Sequence, residues 1–386
     1  MTLEEIKKGG FDKYLAFFNE FPLESVSDWD LADNYIEHLK LNFEKIIKYA
    51  NDFLSKTEDY NLDLETHYNS ILEVIEIATN GFHSKAYYKL SNILENTKSF
   101  LENINPIQLA FTLPSGNTSL RMHKMRMDCP EAKHKDFFHI PFNKLHLTKN
   151  NRFSLQGVPC IYYGSTIYVC WEELDRPIIE NTYVVRAQLK LKFLDLSITP
   201  SYVAIDYNPQ ILVHVTEEKL SNFNKNRAFN FCQYLLMWPL IFASSVKVKY
   251  RNSIFRPEYL LPHLILEWVK QNPQYDGIKY LSTKTTLLTP KSIQQITNFY
   301  NCVVPVKNIS GKEYSEELSN SISWTEPINY NILKLLNALP IQKYRENEIT
   351  NDITSRFNNY RYDFTIFGQI EKILLSMNDH QLEYNT

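Results

Sequence analysis

Glycine is scarce in this sequence, which has only 9 glycines in 386 residues. The G-x-G-x-x-G and G-x-x-x-x-G-K-[ST] patterns, whose glycine backbones cradle phosphates, are both absent. A surplus of one charge is also lacking, because 41 Lys and Arg stand against 44 Asp and Glu, for a net charge of −3. These absences count against Rossmann and P-loop folds, and we expect no nucleic-acid partner.

Cysteine pairs are missing as well. The five cysteines are scattered and odd in number, at Cys129, Cys160, Cys170, Cys232 and Cys302. Because no C-x-x-C pair is present, we expect no structural zinc and predict no metal site. Cys160 and Cys170 lie in apolar segments, which is typical of buried thiols in a reducing compartment.

An apolar leader is not visible either. The first ten residues, MTLEEIKKGG, mix acidic and basic side chains and do not resemble a signal peptide. The most apolar window, 229–246, is interrupted by Asn230, Gln233 and Pro239. We interpret this window as a buried helix followed, after Pro239, by a buried strand rather than as a membrane span. We therefore expect a cytoplasmic protein with no membrane partner.

The patterns that are present predict an α+β chain in three parts. Residues 1–105 carry amphipathic helical runs and predict an N-terminal helical bundle. Strand and helix patterns intersperse over 106–325, which predicts a mixed α/β domain, and 326–386 predict a helical C-terminal extension. The bundle contains no catalytic constellation. It could bind a partner protein, sense a signal or form a homo-oligomer.

Periodicity places several elements within the later parts. We predict strands over 182–194 and 241–250, a helix over 259–270 with Pro262 in its first turn, and a helix over 364–377.

The most informative stretch is 151–174, NRFSLQGVPCIYYGSTIYVCWEEL. It reads as a polar loop, a buried strand over 158–163, a turn at Gly164 and a helix capped by Ser165 or Thr166. Four residues at i, i+3, i+4 and i+7 predict one apolar helix face packed on a sheet: Ile167, Cys170, Trp171 and Leu174.

That helix ends with Glu172 and Glu173, where the backbone dipole disfavours carboxylates. Residues that break a local rule are candidates for function. On helix position alone, however, both glutamates could simply be solvated.

The same stretch resembles the RES domain family. That pattern is roughly an R-[YF]-x-x-x-G-x-P-x-L-Y loop and strand, a helix ending in glutamate, and a distant D-G-I-x-Y-x-S. The matching residues here are Arg152, Gly157, Pro159, Tyr162 and Glu173, followed by DGIKYLS at 276–282. Glu173 has the spacing from Tyr162 that the pattern requires, whereas Glu172 is one residue short. The resemblance covers roughly residues 118–310.

Short motifs on either side of this stretch also fit the family, namely HIPF at 139–142, RP at 176–177 and PEY at 257–259. RES-like domains open with an R-x-R strand. Here the match is partial, because Lys124 occupies the first position and Arg126 the second.

The resemblance implies a fold similar to ADP-ribosyltransferases and an enzyme that consumes NAD. Such enzymes split the nicotinamide–ribose bond and pass the ribose carbon to water or phosphate. NAD is then the substrate, no cofactor is expected, and inorganic phosphate is a candidate co-substrate. Members of the family usually act as toxins that a partner antitoxin restrains. The resemblance therefore implies a toxin or a defence effector, with an antitoxin as a possible partner. The alternatives are a protein ADP-ribosyltransferase and a non-catalytic module that binds an NAD-like nucleotide.

The chemistry assigns roles to the matching residues. Nicotinamide is a cationic leaving group, so a carboxylate can stabilise the oxocarbenium-like ribose, and we assign this role to Glu173. The planar fork of Arg152 suits the pyrophosphate. Tyr162 could frame the nicotinamide pocket. Ser282 could hold a phosphate oxygen or a ribose hydroxyl.

Two further residues join the candidates for NAD binding. Arg126 stands in the R-x-R position, although a solvated strand arginine is the alternative. His139 lies upstream of Arg152, although a histidine beside aromatic residues is more often packed than liganding.

Overall fold

The computed structural model describes residues 34–54, 62–104, 119–127, 129, 132–197, 232–250, 253–285, 299–309, 312–332, 362 and 365–382. These residues fall into two compact units. The first unit takes in those within 1–114 and 195–268, and the second takes in those within 115–194, 269–288 and 298–386. This grouping places the described residues of 195–268 with the N-terminal helices and those of 326–386 with most of the sheet.

The first unit contains the helices predicted from residues 1–105. They are α1 (Tyr35–Leu54), α2 (Leu64–Thr79) and α3 (His83–Ile104). Asp63 caps α2 by accepting a hydrogen bond from the amide of Thr66 at 3.0 Å. The chain leaves α2 through Asn80 and Gly81, whose φ of +85° suits glycine. The predicted helical N-terminal part is confirmed for the described residues.

A fourth helix of this unit, α5, covers 232–245 and runs through Pro239. A proline inside a helix cannot donate to the carbonyl four residues earlier. Here that carbonyl belongs to Leu235, and it accepts a hydrogen bond from the Tyr68 hydroxyl at 2.7 Å. The Tyr68 ring also stacks on Trp238, with centroids 5.9 Å apart. A neighbouring helix therefore supplies what the proline removes.

One strand prediction is wrong, because α5 continues to residue 245 and the segment 241–250 is not a strand. The prediction for 182–194 is confirmed in part, since this segment forms two strands that are separated at 190–192. Within this break, the amide of Lys192 donates to the Asp276 carboxylate at 2.8 Å. In the described parts of the chain, no helix is both long and apolar enough to cross a membrane.

A sheet of eight strands dominates the rest of the structure. Its strands are β1 (Leu120–Met127), β2 (Cys160–Gly164), β3 (Thr182–Leu189), β4 (Phe193–Leu196), β5 (Gly277–Leu281), β6 (Tyr300–Pro305), β7 (Ile322–Trp324) and β8 (Ile328–Asn329). Their order in the sheet is β4-β5-β6-β2-β1-β3-β7, and β8 pairs with β3. The remaining α-helices are α4 (Ile167–Glu173), α6 (Leu260–Gln271), α7 (Glu316–Ser321) and α8 (Ile366–Ser376). Short 3₁₀ turns cover His134–Phe137, Phe142–Leu147, Ile179–Asn181 and Pro257–Tyr259. The helices predicted over 259–270 and 364–377 are confirmed, and the chain is α+β.

The strand register gives the sheet two distinct faces. Gly164, Asn301 and Tyr280 are neighbours across β2, β6 and β5, and directly paired residues project to the same side. Tyr162 lies on that side too, two positions before Gly164. Helices α4 and α8 pack there, and we call it the α4 face. The opposite face buries a second apolar cluster that includes Met122, Phe137, Ile161, Tyr163 and Trp324.

Gly277 begins β5 at a point with no room for a side chain. A Cβ there would lie 2.4 Å from the Val303 carbonyl oxygen and 2.9 Å from a ring carbon of Phe193. We expect Gly277→Ala to destabilise the protein by about 1–3 kcal/mol, because β5 must shift away from β6. Urea unfolding followed by circular dichroism measures this. An unchanged unfolding midpoint would contradict the close approach.

Candidate functional site

The site is built at the end of α4. Thr166 caps this helix, since its hydroxyl accepts a hydrogen bond from the Val169 amide at 3.1 Å. Ile167, Cys170 and Trp171 are buried, which confirms the predicted apolar face. A Cβ on Gly164 would lie only 2.8 Å from the Cys170 sulfur. The bare glycine therefore lets the helix lie close to the sheet.

Glu173, the last residue of α4, is held by two side-chain donors. Its Oε1 accepts hydrogen bonds from the Ser282 hydroxyl at 2.8 Å and from Asn301 Nδ2 at 2.7 Å. Hydrogen bonds to an ionised group are the stronger kind and offset the unfavourable helix dipole. Within the described part of the chain, no hydrogen bond reaches Oε2. One carboxylate oxygen is thus fixed by the protein while the other remains available.

Lys284 supports the same helix end. Its Nζ donates to the Glu173 carbonyl oxygen at 2.9 Å and to the Asp175 carboxylate at 2.7 Å. A cation at a helix C-terminus is favourable because the last carbonyl groups carry partial negative charge. Neither Lys284 nor Asn301 was predicted from the sequence. Lys284 had a weak signal, since it lies two residues after the matched serine.

Glu172 has a different environment. It is buried, and both of its carboxylate oxygens accept hydrogen bonds from the Arg176 guanidinium, at 3.0 and 3.2 Å. That guanidinium also lies over the Trp171 ring, 5.6 Å from its centroid. Glu172 therefore takes part in a local ion pair, and Glu173 is the glutamate that reaches the sheet.

Backbone strain lies directly beside Glu173. Asp175 and Arg176 both have left-handed φ angles, of +60° and +58°. Non-glycine residues in such conformations cost about 1–3 kcal/mol each, and they cluster at functional sites. Here Asp175 is held by a hydrogen bond from Lys284, and Arg176 is held by its hydrogen bond to Glu172.

The polar loop that carries Arg152 is fastened to the α4 face. The Tyr162 hydroxyl donates to the Phe153 carbonyl at 2.9 Å, which ties β2 to the loop. The loop turns at Gly157, whose φ is +73°, within a turn closed by the Val158 amide and the Leu155 carbonyl. Burial raises the pKa of Tyr162 well above its ordinary value, so the phenol is neutral at pH 7.

Tyr280 connects the candidate residues. Burial raises the pKa of its hydroxyl well above the ordinary value. The nearby Glu173 and Tyr162 raise it further, while the positive charge of Arg152 acts in the opposite direction. Arg152, Tyr162 and Glu173 therefore all lie within electrostatic range of one phenol. Of the six predicted site residues, Ser282 is hydrogen-bonded to Glu173, and Tyr162 lies on the same face of the sheet, bonded to the loop that carries Arg152.

The other two predicted residues lie elsewhere. Arg126 projects from the opposite face of the sheet, where its Nε donates to the Asp136 carbonyl at 2.7 Å. The structure thus does not place it with Glu173, because strand alternation turns it away.

His139 belongs to the same opposite face. Its ring lies 4.4 Å from Phe138 and 5.0 Å from Phe142, centroid to centroid, and its Nε2 accepts the Ser315 amide at 2.9 Å. Burial lowers the pKa of this imidazole to about 4. His139 is thus packed among aromatic rings, which is the alternative to a role in NAD binding. We leave both His139 and Arg126 out of the candidate site. Among the described residues, no group of three or more His, Cys, Asp or Glu could hold a metal ion.

Comparison with known proteins gives few matches. The chain is 29% identical over 366 residues to the "Putative toxin YopC" of Bacillus subtilis (strain 168), and this alignment covers 92% of the chain and 78% of that protein. A weaker similarity, 24% identity over 140 residues, covers 36% of the chain and 24% of the "Putative replication factor C large subunit" of Acanthamoeba polyphaga mimivirus. No family model matches the chain. No solved structure matches it either.

Proposed function

We propose that this protein is an NAD-degrading toxin that cleaves the nicotinamide–ribose bond, with water or phosphate as the acceptor. The observation that carries this proposal is the Glu173 carboxylate, whose Oε1 is fixed by hydrogen bonds from Ser282 and Asn301. The similarity to the Bacillus subtilis protein, whose name describes a putative toxin, supports the biological role. The RES-like fold, related to ADP-ribosyltransferases, is part of the same proposal.

The catalytic argument begins with charge. As nicotinamide leaves, positive charge develops on the ribose carbon, and a fixed carboxylate stabilises that charge without having to reorganise. In this proposal Oε2 of Glu173 faces the ribose, because Oε1 already accepts two hydrogen bonds.

For Ser282 we propose a role other than the one predicted from the sequence. Its hydroxyl hydrogen is directed to Glu173, and its oxygen lies 3.4 Å from the Lys284 amide. In the proposal, Ser282 therefore orients the carboxylate rather than binding a phosphate oxygen or a ribose hydroxyl itself.

The direct test is incubation of the purified protein with NAD, with and without phosphate, followed by NMR and mass spectrometry. Nicotinamide with free ADP-ribose means hydrolysis, and nicotinamide with a phosphorylated ADP-ribose means phosphorolysis. Nicotinamide with ADP-ribose attached to protein means the transferase alternative. Intact NAD under all conditions would overturn the proposal.

The toxin role has its own test. Induced expression in bacterial cells is expected to lower cellular NAD and stop growth, and an antitoxin encoded nearby should reverse both effects. Normal growth with unchanged NAD would contradict this role.

Assembly through the N-terminal helices stays a prediction, which a single 45.6 kDa species in light scattering would contradict.

Arg152→Lys is expected to weaken NAD binding. A lysine keeps the positive charge, but its point charge cannot reproduce the two-pronged contact of a guanidinium with a pyrophosphate. Steady-state kinetics should therefore show a KM for NAD raised about tenfold, the equivalent of about 1.4 kcal/mol. Lys133→Arg, a conservative change at an exposed position outside the site, serves as the control. An unchanged KM in Arg152→Lys would remove Arg152 from pyrophosphate binding.

A further inference from the structure

We infer that Asn301 is a positioning residue for Glu173: its amide holds Oε1 so that Oε2 faces the substrate. This inference rests on the proposed function for its catalytic meaning. The contact itself can be tested without any activity.

Asn301 is placed for this role by the sheet. It lies on β6 between Gly164 of β2 and Tyr280 of β5, and only 4% of its surface is exposed. Because Gly164 has no side chain, α4 can lie close to the sheet and bring Glu173 within 2.7 Å of Asn301 Nδ2. Gly164 thus leaves space for α4, and Asn301 provides the hydrogen bond to Glu173 that this position of the helix allows.

An amide is chemically suited to this position. It donates a hydrogen bond to an ionised carboxylate and does not itself gain or lose a proton near neutral pH. An aspartate of the same shape would place a second carboxylate against the first, and two carboxylates in such contact do not both ionise readily. The choice of Asn over Asp therefore avoids a second carboxylate against Glu173.

Asn301 also complements Ser282. The two donors approach the same oxygen from β6 and from the residue that follows β5. With only one donor, the carboxylate could rotate about its terminal torsion, which is a soft one. Two donors from different segments fix its orientation, which is what a charge-stabilising group requires.

The kinetic test compares Asn301→Ala and Asn301→Asp with the wild-type protein. Asn301→Ala is expected to lower kcat about 10- to 100-fold with little change in KM, because the carboxylate is misplaced while NAD still binds. Asn301→Asp is expected in addition to move the acidic limb of the pH–rate profile to higher pH. A residue that only supported the fold would leave the shape of that profile unchanged.

The other titratable groups around Glu173 do not obscure this shift. Burial raises the pKa of Cys170 in α4 to about 12, and Tyr280 on β5 also titrates far above neutral pH. Lys284 and Asp175 are paired with each other. All of these groups are common to the wild-type and variant proteins, so the difference between their profiles reports the new carboxylate pair.

The contact is tested separately by exchanging the two groups. Asn301→Asp should lower the thermal midpoint at pH 7.5, because two carboxylates then face each other. Adding Glu173→Gln restores one amide and one carboxylate with their positions swapped, and it should recover most of the loss. Asn329 is the matched control, since its Nδ2 donates to the Glu180 and Thr182 backbone carbonyls and to no carboxylate among the described residues. Asn329→Asp should not be rescued by Glu173→Gln.

The outcomes separate the two claims. Rescue together with the changed kinetics supports the inference. Additive effects of Asn301→Asp and Glu173→Gln, or wild-type kinetics in Asn301→Ala, would overturn the role of Asn301 while leaving the proposed function intact. Intact NAD with the wild-type protein would instead overturn the proposed function, and with it the catalytic role of Asn301.

Discussion

Replacement of Glu173 by glutamine is expected to slow NAD cleavage about 10²–10³-fold. The amide retains the size of the side chain and an oxygen that can still accept hydrogen bonds from Ser282 and Asn301, so the site keeps its shape. What is lost is the negative charge that stabilises the ribose in the transition state. Nicotinamide release, followed by chromatography at saturating NAD, measures the effect.

Two comparisons make this result specific. Glu317→Gln, at an exposed position of α7, should keep the wild-type rate. Circular dichroism and the thermal midpoint of Glu173→Gln should match those of the wild-type protein. If a folded Glu173→Gln protein cleaves NAD at the full rate, the assignment is wrong, and another group on the α4 face must carry the chemistry.

Replacement of Trp171 by alanine is expected to lower the free energy of unfolding by about 3–5 kcal/mol. Trp171 is fully buried, and its ring lies 5.6 Å from that of Phe367 in α8, centroid to centroid. Its Nε1 donates to the Pro177 carbonyl at 2.9 Å. The substitution removes the apolar contacts, leaves a cavity and deprives that carbonyl of its donor.

Urea unfolding measures this loss, and Ile178→Ala provides the control. Ile178 is also a large apolar residue of this region, but it is 69% exposed, and its removal should change stability by less than about 0.5 kcal/mol. NAD cleavage by Trp171→Ala should fall as well, because Trp171 anchors the helix that carries Glu173. Similar unfolding midpoints for the two variants would show that α4 contributes little to the stability of the sheet unit.

The elements that the sequence predicts well are those specified by local chemistry. Thr166 provides the cap, and the spacing of Ile167, Cys170 and Trp171 provides the buried face. Each signal lies within a few residues of the structure that it determines. The N-terminal helices and α8 were predictable for the same reason.

Elements that depend on distant residues were not predictable. The helix through Pro239 requires the Tyr68 hydroxyl, which lies 167 positions earlier than the Leu235 carbonyl that accepts it. The break between β3 and β4 depends on Asp276, which is 84 positions from Lys192. Local patterns contain neither partner, so tertiary contacts overrode the propensities.

The candidate site shows the same division. Glu173 and Ser282 were found through the resemblance, but Asn301 lies 128 positions after Glu173, and only the pairing of β2, β6 and β5 brings it near. Arg126 was grouped with the site because it matches the R-x-R position of the resemblance, and His139 because it lies upstream of Arg152. Alternation along a strand indicates that two faces exist but does not tell which of them meets α4.

The shortness of α4 constrains which sequence changes this protein can tolerate. The helix spans only Ile167–Glu173, so the direction of its final side chain is set by the distance from the Thr166 cap. Inserting or deleting one residue would rotate that side chain by about 100° around the helix axis. Glu172 and Glu173 show the effect of one position, since Glu172 pairs with Arg176 whereas Glu173 contacts Asn301 of the sheet. A change in the length of α4 would therefore exchange the environments of the two carboxylates, whatever residue was added or removed.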